Sequence, residues 1–179
     1  MKVLTLRQPW AHLVIRGLLL PDGGRLLKPI ENRGWQPKVM PKVLGIHAGL
    51  YVPSSYELEE IAICLEKRLH ISTAAAFCEW QELCEFGAII GIVTPGEAVY
   101  WSDSPWFEGP KGWPLSNPIP LPEPVFCPGA HGLWDAPLQI CKRCGCIDCN
   151  CSDCIARTGE PCRWVAPDLC SACQRRIGP

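Results

Sequence analysis

Nine cysteines crowd the last part of this chain, and they constrain its fold more than any other feature. They lie between residues 141 and 173, where large aliphatic side chains are few. A segment of this composition cannot bury enough apolar surface to fold unaided, so cross-links or metal ions must hold it together. We therefore expect two units, an ordinary domain at residues 1–137 and a small Cys-rich one at residues 138–179.

The spacing of these cysteines indicates metal ligands. Two CxxC pairs, Cys141/Cys144 and Cys170/Cys173, have 25 residues between them, and paired motifs of this kind supply four thiolates to one tetrahedral zinc ion. Any four of the five cysteines between the pairs could hold a second ion: Cys146, Cys149, Cys151, Cys154 and Cys162. The sequence therefore predicts one or two zinc ions. An iron-sulfur cluster and a set of disulfides are the alternatives, because thiolate ligation alone does not distinguish metals.

The sequence shows no sign of export or of a membrane span. The first residues lack an apolar stretch followed by a cleavage site, and no segment resembles the roughly 20 apolar residues that cross a bilayer. We expect a cytoplasmic protein that contacts no membrane. In a reducing cytosol thiols stay free or bind metal, which agrees with the metal interpretation of the tail.

Charge is distributed unevenly, although the net charge is only -1. The first 47 residues carry eight Lys or Arg side chains against two acidic ones, whereas residues 57–108 carry ten acids against Lys67 and Arg68. A polyanion should meet the N-terminal segment and be repelled by the middle of the chain. The alternative is that both segments are solvated faces without a partner.

Hydrophobic patterning predicts an α+β fold. Residues 87–94 form a continuous apolar, β-branched run, which is typical of a strand buried on both faces. Other strands are predicted at residues 4–6, 42–48, 112–121 and 132–134. Helices are predicted at residues 8–16, 57–69 and 74–84, with Cys64 in the core on the second of them.

The N-terminal third brings cationic, amide and indole groups near predicted strand ends. Arg and Lys neutralise phosphate, Gln and Asn can recognise base edges, and Trp offers a stacking face, so this mixture suits a nucleotide. The candidate binding residues, besides Lys28, are Arg7, Gln8, Trp10, Asn32, Arg33, Trp35 and His47. The alternative is that the two Trp residues are core aromatics and that Glu31 and Arg33 form an ordinary ion pair.

At these residues the sequence resembles the ASCH domain family, which belongs to the PUA-like superfamily of small β-barrels. The resemblance runs from about residue 4 to residue 134 and is carried by residues 6–11, 28–35, 87–97, 112–115 and 132–134. It implies a PUA-like barrel with flanking helices and a cleft suited to RNA, single-stranded nucleic acid or a modified nucleotide. The Cys-rich tail lies outside that domain and resembles an extension met on phage-encoded proteins.

The resemblance also implies candidate catalytic residues. Some ASCH proteins hydrolyse the acyl amide of N4-acylated cytidine with a Lys, a Thr and a Glu. Lys28 is similar to that Lys, and Glu97, soon after the predicted buried strand, is the candidate for the Glu. Three positions after the Lys, where those enzymes have Thr, this sequence has Glu31, and residues 18–27 form an insertion before Lys28. The catalytic candidates are therefore Lys28, Glu31 and Glu97.

Three functions follow from these patterns. The leading hypothesis is a protein that binds RNA, single-stranded nucleic acid or a modified nucleotide in the cleft. The second is an amidohydrolase or nuclease-like enzyme that acts on a modified nucleoside or on RNA. The third is an adaptor that binds a protein partner through the zinc tail. No His follows His131, and zinc held by Cys alone is usually structural.

Overall fold

The computed structural model describes residues 1–20, 22–70, 85–136, 138–148 and 150–174. The helices are α1 (Trp10–Ile15), α2 (Ser55–Leu69), α3 (Ser152–Thr158) and α4 (Ser171–Gln174). The longer strands are β1 (Lys2–Leu6), β4 (Ile30–Arg33), β5 (Leu44–Ala48), β6 (Ala88–Pro95) and β7 (Lys111–Phe126). The short strands are β2 (Leu18–Leu19), β3 (Arg25–Leu26), β8 (Leu133–Asp135), β9 (Trp164–Ala166) and β10 (Leu169–Cys170). The helix predicted at residues 74–84 lies outside the described residues.

The protein is α+β, with a curled six-stranded sheet in the order β4-β7-β6-β5-β1-β8. Only β1 and β5 run parallel; the other neighbours in this sheet are antiparallel. Strand β6 lies between β7 and β5 and is buried at every position except Thr94. The prediction of a strand buried on both faces is therefore confirmed.

Strand β7 is longer than predicted and ends at Phe126 instead of residue 121. Its first residues pair with β4, and the part from Leu115 onward pairs with β6. From residue 115 onward, the edge of β7 that faces away from β6 pairs with no strand in the described part of the chain. Prolines without an N–H are tolerated at such an edge, which is why the Pro-rich sequence continues as a strand.

The two faces of the sheet pack against different parts of the chain. Leu4 and Ile90 face α1, whereas their neighbours Val3 and Ile89 face the Cys-rich tail, as the alternation of strand side chains requires. Helix α1 lies very close to β6, because a Cβ placed on Gly91 would be 2.6 Å from a methyl group of Ile15. Only glycine permits that approach.

Helix α2 begins at a capping box. The Ser54 hydroxyl accepts a bond from the Glu57 amide, and the Glu57 carboxylate accepts one from the Ser54 amide, which satisfies two otherwise free helix donors. The helix buries Leu58, Ala62 and Leu65. Cys64 is exposed instead of buried, so its predicted core position is wrong. It falls outside the stripe formed by the three buried residues.

The Cys-rich tail, from residue 138 onward, packs against the sheet. Ile140 and Ile147 are buried in one cluster with Val3, Ile89 and Leu121 of the domain. These aliphatic side chains join the outer face of the sheet to the first turn of the Cys-rich segment. Loss of structure in the tail would therefore expose apolar surface on the sheet.

The insertion at residues 18–27 forms a short hairpin in which β2 pairs antiparallel with β3. Its end returns the chain to α1, where the Lys28 amide donates to the Leu13 carbonyl at 3.0 Å. The insertion therefore does not displace Lys28 from the first helix. None of the described helices is both long and apolar enough to cross a membrane.

Candidate functional site

A pocket of about 470 Å³ opens beside the edge strand β4. Helix α1 contributes Trp10, and the chain around β4 contributes Lys28, Glu31 and Asn32. Opposite them stand four polar side chains from α2 and from the loop before β7: Glu57, Glu60, Arg68 and Glu108. Two indoles, those of Trp10 and Trp106, line the same space. The pocket therefore combines aromatic faces with a dense set of charges.

Two charged side chains of the pocket lining, Lys28 and Glu31, form a chain of ion pairs with Arg33, which lies outside the lining. The Lys28 ammonium lies 2.6 Å from Oε2 of Glu31 and donates to the Ile30 carbonyl. The other carboxylate oxygen, Oε1, lies 3.1 Å from the Arg33 guanidinium. Lys28 and Glu31 are buried, with 6% and 8% of their surface exposed. One carboxylate is thus shared by two cations, and Lys28 also lies 5.9 Å from the ring centre of Trp10.

Asn32 holds the loop that closes the pocket. Its side-chain amide donates to the Trp106 carbonyl at 2.9 Å, and its carbonyl oxygen accepts from the Glu108 amide at 2.8 Å. A salt bridge of 2.5 Å between Arg68 and Glu108 ties the same loop to the end of α2. The amide of Asn32 is therefore engaged by the protein itself.

The lining of the pocket is acidic. Glu57 and Glu60 of α2 line the pocket, and each accepts a bond from a tyrosine hydroxyl, Tyr51 for the first and Tyr56 for the second. The Tyr51 hydroxyl and the Ser54 amide lower the pKa of Glu57, so this carboxylate stays ionised at neutral pH. The lining carries four Glu against Lys28 and Arg68.

Two predicted binding residues lie outside this lining and have structural partners. Gln8 is buried, where its side chain accepts from the His12 amide and donates to the Glu85 carbonyl. It therefore fixes the start of α1. Arg7 is exposed and stacks over the Tyr51 ring at 4.9 Å. It lies beside the acidic end of α2 rather than inside the pocket.

Three more candidates lie elsewhere. Trp35 packs edge-on against Trp113, with 5.0 Å between ring centres. His47 is buried in β5, its Nε2 3.0 Å from the Cys127 carbonyl oxygen, and burial lowers its pKa. Glu97 lines a different hollow, formed with the segment at residues 36–42. Among the sequence candidates, the pocket thus brings together Trp10, Lys28, Glu31 and Asn32, while Arg33 contacts Glu31 from outside the lining.

The second candidate site is the cysteine cluster of the tail. Two sets of four sulfur atoms each lie within 4.8 Å of one another and could hold a metal ion: Cys141, Cys144, Cys146 and Cys170, and Cys146, Cys154, Cys162 and Cys170. The sulfur atoms of neighbouring cysteines, such as Cys144 and Cys170, are 3.7 to 3.9 Å apart. A disulfide needs about 2.05 Å, and the described cysteines are all free.

Backbone turns present these sulfurs. The Cys141 carbonyl accepts from the Gly145 amide at 2.8 Å, and Gly145 has a φ of +73, which favours glycine. The thiol of Cys144 lowers the pKa of Cys141 to about 4; burial opposes this, and amides of the same turn and of Cys170 assist it. Burial raises the pKa of Cys170 to about 12. The shifts therefore run in opposite directions for two neighbouring thiols of the cluster.

Arg157 of α3 is the cation that contacts these sulfurs among the described residues. Its guanidinium lies 3.4 Å from the Cys154 sulfur and 3.9 Å from that of Cys173. These contacts, with Cys173 first, raise the pKa of Arg157. Arg143 instead donates to the Cys173 carbonyl, and Lys142 pairs with Asp168.

The observed grouping differs from the one that spacing predicts. Spacing pairs Cys170 and Cys173 with the first CxxC motif, whereas the structure places Cys146 in that set and leaves Cys173 beside it, buried. Cys151 also packs against the cluster. Cys149 lies outside the described residues. The nine predicted ligands are therefore close together where they are described, but not as two separate sites.

Several residues of the pocket were not predicted from the sequence. The acids of α2 were noted only as part of an acidic segment, although Glu57, Glu60 and Arg68 follow one another at helical spacings of three and eight. That spacing is a signal for a shared face. For Trp106 and Glu108 the sequence holds no such signal, because the Asn32 contacts place their loop.

Comparison with known proteins adds no further assignment: no protein-family model matches this chain. Among curated proteins no relative matches it either.

Proposed function

We propose that the chain binds a nucleobase or nucleoside in the pocket beside β4, either as part of RNA or single-stranded nucleic acid or as a modified nucleotide. The observation that carries this proposal is the buried Lys28–Glu31 ion pair, with the Lys28 ammonium 5.9 Å from the ring centre of Trp10. A buried ion pair contributes little net stability, because desolvation offsets its attraction. Its position in a pocket therefore supports a binding or catalytic role.

Size and shape suit a single base. A volume of about 470 Å³ falls within the range of small-ligand pockets. The indoles of Trp10 and Trp106 offer stacking faces, and the stacking of one base on an aromatic side chain contributes roughly 1–3 kcal/mol. Glu31 keeps unused lone pairs for an exocyclic amine such as N4 of cytosine.

The charges of the pocket lining indicate which part of a nucleotide would enter the pocket. The pocket lining has four carboxylates and two cations, so a phosphate at its mouth would be repelled. The base would enter, and the phosphates would stay outside near exposed cations. A pocket of this kind differs from a cleft that binds polyanions in general. The affinity for a free nucleoside should therefore depend only weakly on salt concentration.

The test is a panel of RNA, single-stranded DNA, duplex DNA and N4-acetylcytidine, assayed for binding and for released product. We expect saturable binding, weakened about 5- to 150-fold by Trp10→Ala, the equivalent of roughly 1–3 kcal/mol of stacking. The matched control is Trp101→Ala, since Trp101 is 76% exposed and does not line the pocket. Far-UV circular dichroism checks that both variants fold.

Two outcomes would contradict the proposal. One is the absence of saturable binding to any member of the panel. The other is equal affinity in wild type and Trp10→Ala, with both proteins folded. A weakening in Trp101→Ala alone would instead direct attention to the exposed aromatic surface.

Amide hydrolysis of an N4-acylated cytidine is the second candidate, and the 2.6 Å contact between Lys28 and Glu31 favours it. In such a step Glu31 takes a proton from water, the water oxygen bonds to the acyl carbon, and the carbon–N4 bond breaks. Lys28 gives its proton to the departing amine and Glu31 returns a proton to Lys28, so that a carboxylic acid and cytidine are formed. Product release abolished by Glu31→Gln would support hydrolysis, whereas binding without product would support the binding function alone.

We also propose that the tail binds zinc and that the domain is PUA-like. The sulfur separations of 3.7 to 3.9 Å agree with the edge of a zinc–thiolate tetrahedron, about 3.8 Å for Zn–S bonds of ~2.3 Å. The curled sheet with few helices supports a barrel-like domain. Elemental analysis tests the metal: zinc is expected, and iron with acid-labile sulfide would overturn it.

A further inference from the structure

Three sulfurs of the tail form a nearly equilateral triangle. The Cys144 sulfur lies 3.7 Å from that of Cys170 and 3.8 Å from that of Cys154, and the Cys154 and Cys170 sulfurs are 3.9 Å apart. A zinc ion with four thiolate ligands has triangular faces with edges of about 3.8 Å, for Zn–S bonds of ~2.3 Å. The triangle therefore has the size of one face of a single zinc site.

Cys146 is positioned to supply the fourth corner of that site. It belongs to both sets of four sulfurs that lie within 4.8 Å of one another; the first set also contains Cys144 and Cys170, and the second also contains Cys154 and Cys170. The Cys146 sulfur is therefore within that distance of all three corners of the triangle. For each of the two remaining members, the sets establish this closeness to only two corners.

One ion, rather than two, fits this arrangement. The two sets share Cys146 and Cys170, so filling both sets would require each of these sulfurs to bridge two ions. In two tetrahedra that share an edge, the unshared corners of different metals lie about 5 Å apart for Zn–S bonds of ~2.3 Å. Cys144 and Cys154 would be such corners, but their sulfurs are 3.8 Å apart. That distance agrees instead with two ligands of the same ion.

Each sulfur of the triangle also receives an N–H donor. Backbone amides donate to two of them, those of Cys144 and Cys170. The Arg157 guanidinium lies 3.4 Å from the third, that of Cys154. Four thiolates around one Zn²⁺ keep a net negative charge, and N–H donors that contact the sulfurs offset part of it. The surroundings of the triangle therefore suit sulfurs that are bound to a metal as thiolates.

We propose that the tail holds one zinc ion whose ligands are the three sulfurs of the triangle and the fourth beside them: Cys144, Cys146, Cys154 and Cys170. This assignment rests on the zinc binding proposed above for the tail. The ligands come from the first turn of the tail, from α3 and from β10. Gly145, between the first two ligands, packs on β7, where a Cβ placed on it would be 3.1 Å from a methyl group of Ile119. The ion therefore ties α3 and β10 to a turn that lies on the sheet.

Cadmium-113 NMR of the full chain reconstituted with ¹¹³Cd²⁺ is the first test, because it needs no substitution. We expect one resonance in the region typical of four thiolate ligands. A ¹H–¹¹³Cd correlation spectrum should connect this resonance to the β-protons of the four proposed ligands. A second resonance, or correlations to a different set of cysteines, would overturn the assignment while leaving metal binding intact. A chain that binds neither cadmium nor zinc would instead refute metal binding by the tail.

Substitutions supply the second test, read by native mass spectrometry as zinc bound per chain at a fixed free-zinc concentration. Cys146→Ser and Cys154→Ser each remove a proposed ligand, and each should lose the ion. Cys162→Ser is the matched control, because Cys162 packs against the same cluster but lies outside the proposed ligands. It should bind one ion, as wild type does. Zinc retained by Cys146→Ser, or lost from Cys162→Ser, would overturn the assignment. The NMR test stands even if a variant fails to fold.

Discussion

The pocket and the cysteine cluster both concentrate charge, but they balance it in opposite ways. Glu31 of the pocket lies between the cations of Lys28 and Arg33, so this buried carboxylate is compensated by the protein's own side chains. In the cluster the described sulfurs contact one guanidinium, that of Arg157. The buried carboxylate therefore needs no further cation, whereas the cysteine cluster offers thiols that could hold a metal ion.

This difference assigns distinct roles to the two sites. A compensated, buried polar wall adds little stability and is available for a ligand. An uncompensated set of thiols contributes to folding only when metal is bound, and then its binding free energy becomes folding free energy. The metal should stabilise the tail, and the pocket should select the ligand.

Metal removal is the largest expected effect. Structural zinc sites have apparent binding free energies of about 10–16 kcal/mol, as large as the whole stability of a typical domain. Chelation should unfold residues 138–174 and uncover the sheet face that packs on Ile140 and Ile147. Limited proteolysis with mass spectrometry should show new cleavage within the tail, reversed by zinc. An identical cleavage pattern with and without chelator would contradict this expectation.

Breaking the pocket's charge balance should have a smaller effect. Lys28→Met leaves Glu31 with Arg33 alone in a buried site, and a broken buried pair costs about 3–5 kcal/mol. The urea midpoint should fall accordingly. The double variant Lys28→Met/Glu31→Leu removes both buried charges, and Arg33, which is partly exposed, can turn to solvent. It should recover most of the loss and still fail to bind ligand.

The double variant sharpens the comparison between the two sites. If it is as unstable as Lys28→Met, the ion pair is a structural element, and its position in the pocket does not indicate a function. If it is stable and binds ligand as wild type does, Lys28 and Glu31 lie outside the binding machinery. Recovery of stability without binding would separate the two contributions.

Sequence patterns predicted the strands whose own residues are mostly apolar. The apolar run that became β6 is buried on both sides because its residues leave no polar face. Strand β4 was not predicted, because Ile30 is its only apolar residue. It is a strand because residues 111–114 of β7 pair with it. That is a tertiary cause, which local propensity does not contain.

The residues of the candidate sites also divide into those that a local motif predicts and those that only tertiary packing brings together. Lys28, Glu31 and Asn32 were identified from a short motif because they are near one another in the chain, whereas the opposing wall from α2 depends on how that helix packs. For the cysteines, spacing identified side chains that lie close together but not how they are grouped. Cys146 and Cys170 meet only after β9 and β10 pair and return the chain to the first turn.

The smallest expected effect concerns the salt bridge across the pocket mouth. Arg68 and Glu108 are 39% and 56% exposed, and exposed pairs contribute roughly 0.2–1 kcal/mol. Arg68→Ala should barely change the urea midpoint, but it should loosen the loop that Asn32 holds from the other side and speed ligand dissociation in stopped-flow measurements. Lys2→Ala, which removes the exposed pair with Asp135 on the far strands of the sheet, is the matched control. Because both variants lose an exposed pair, a change in dissociation rate confined to Arg68→Ala would assign the loop to the pocket. Equal rates in the two variants would show that Asn32 alone holds it closed.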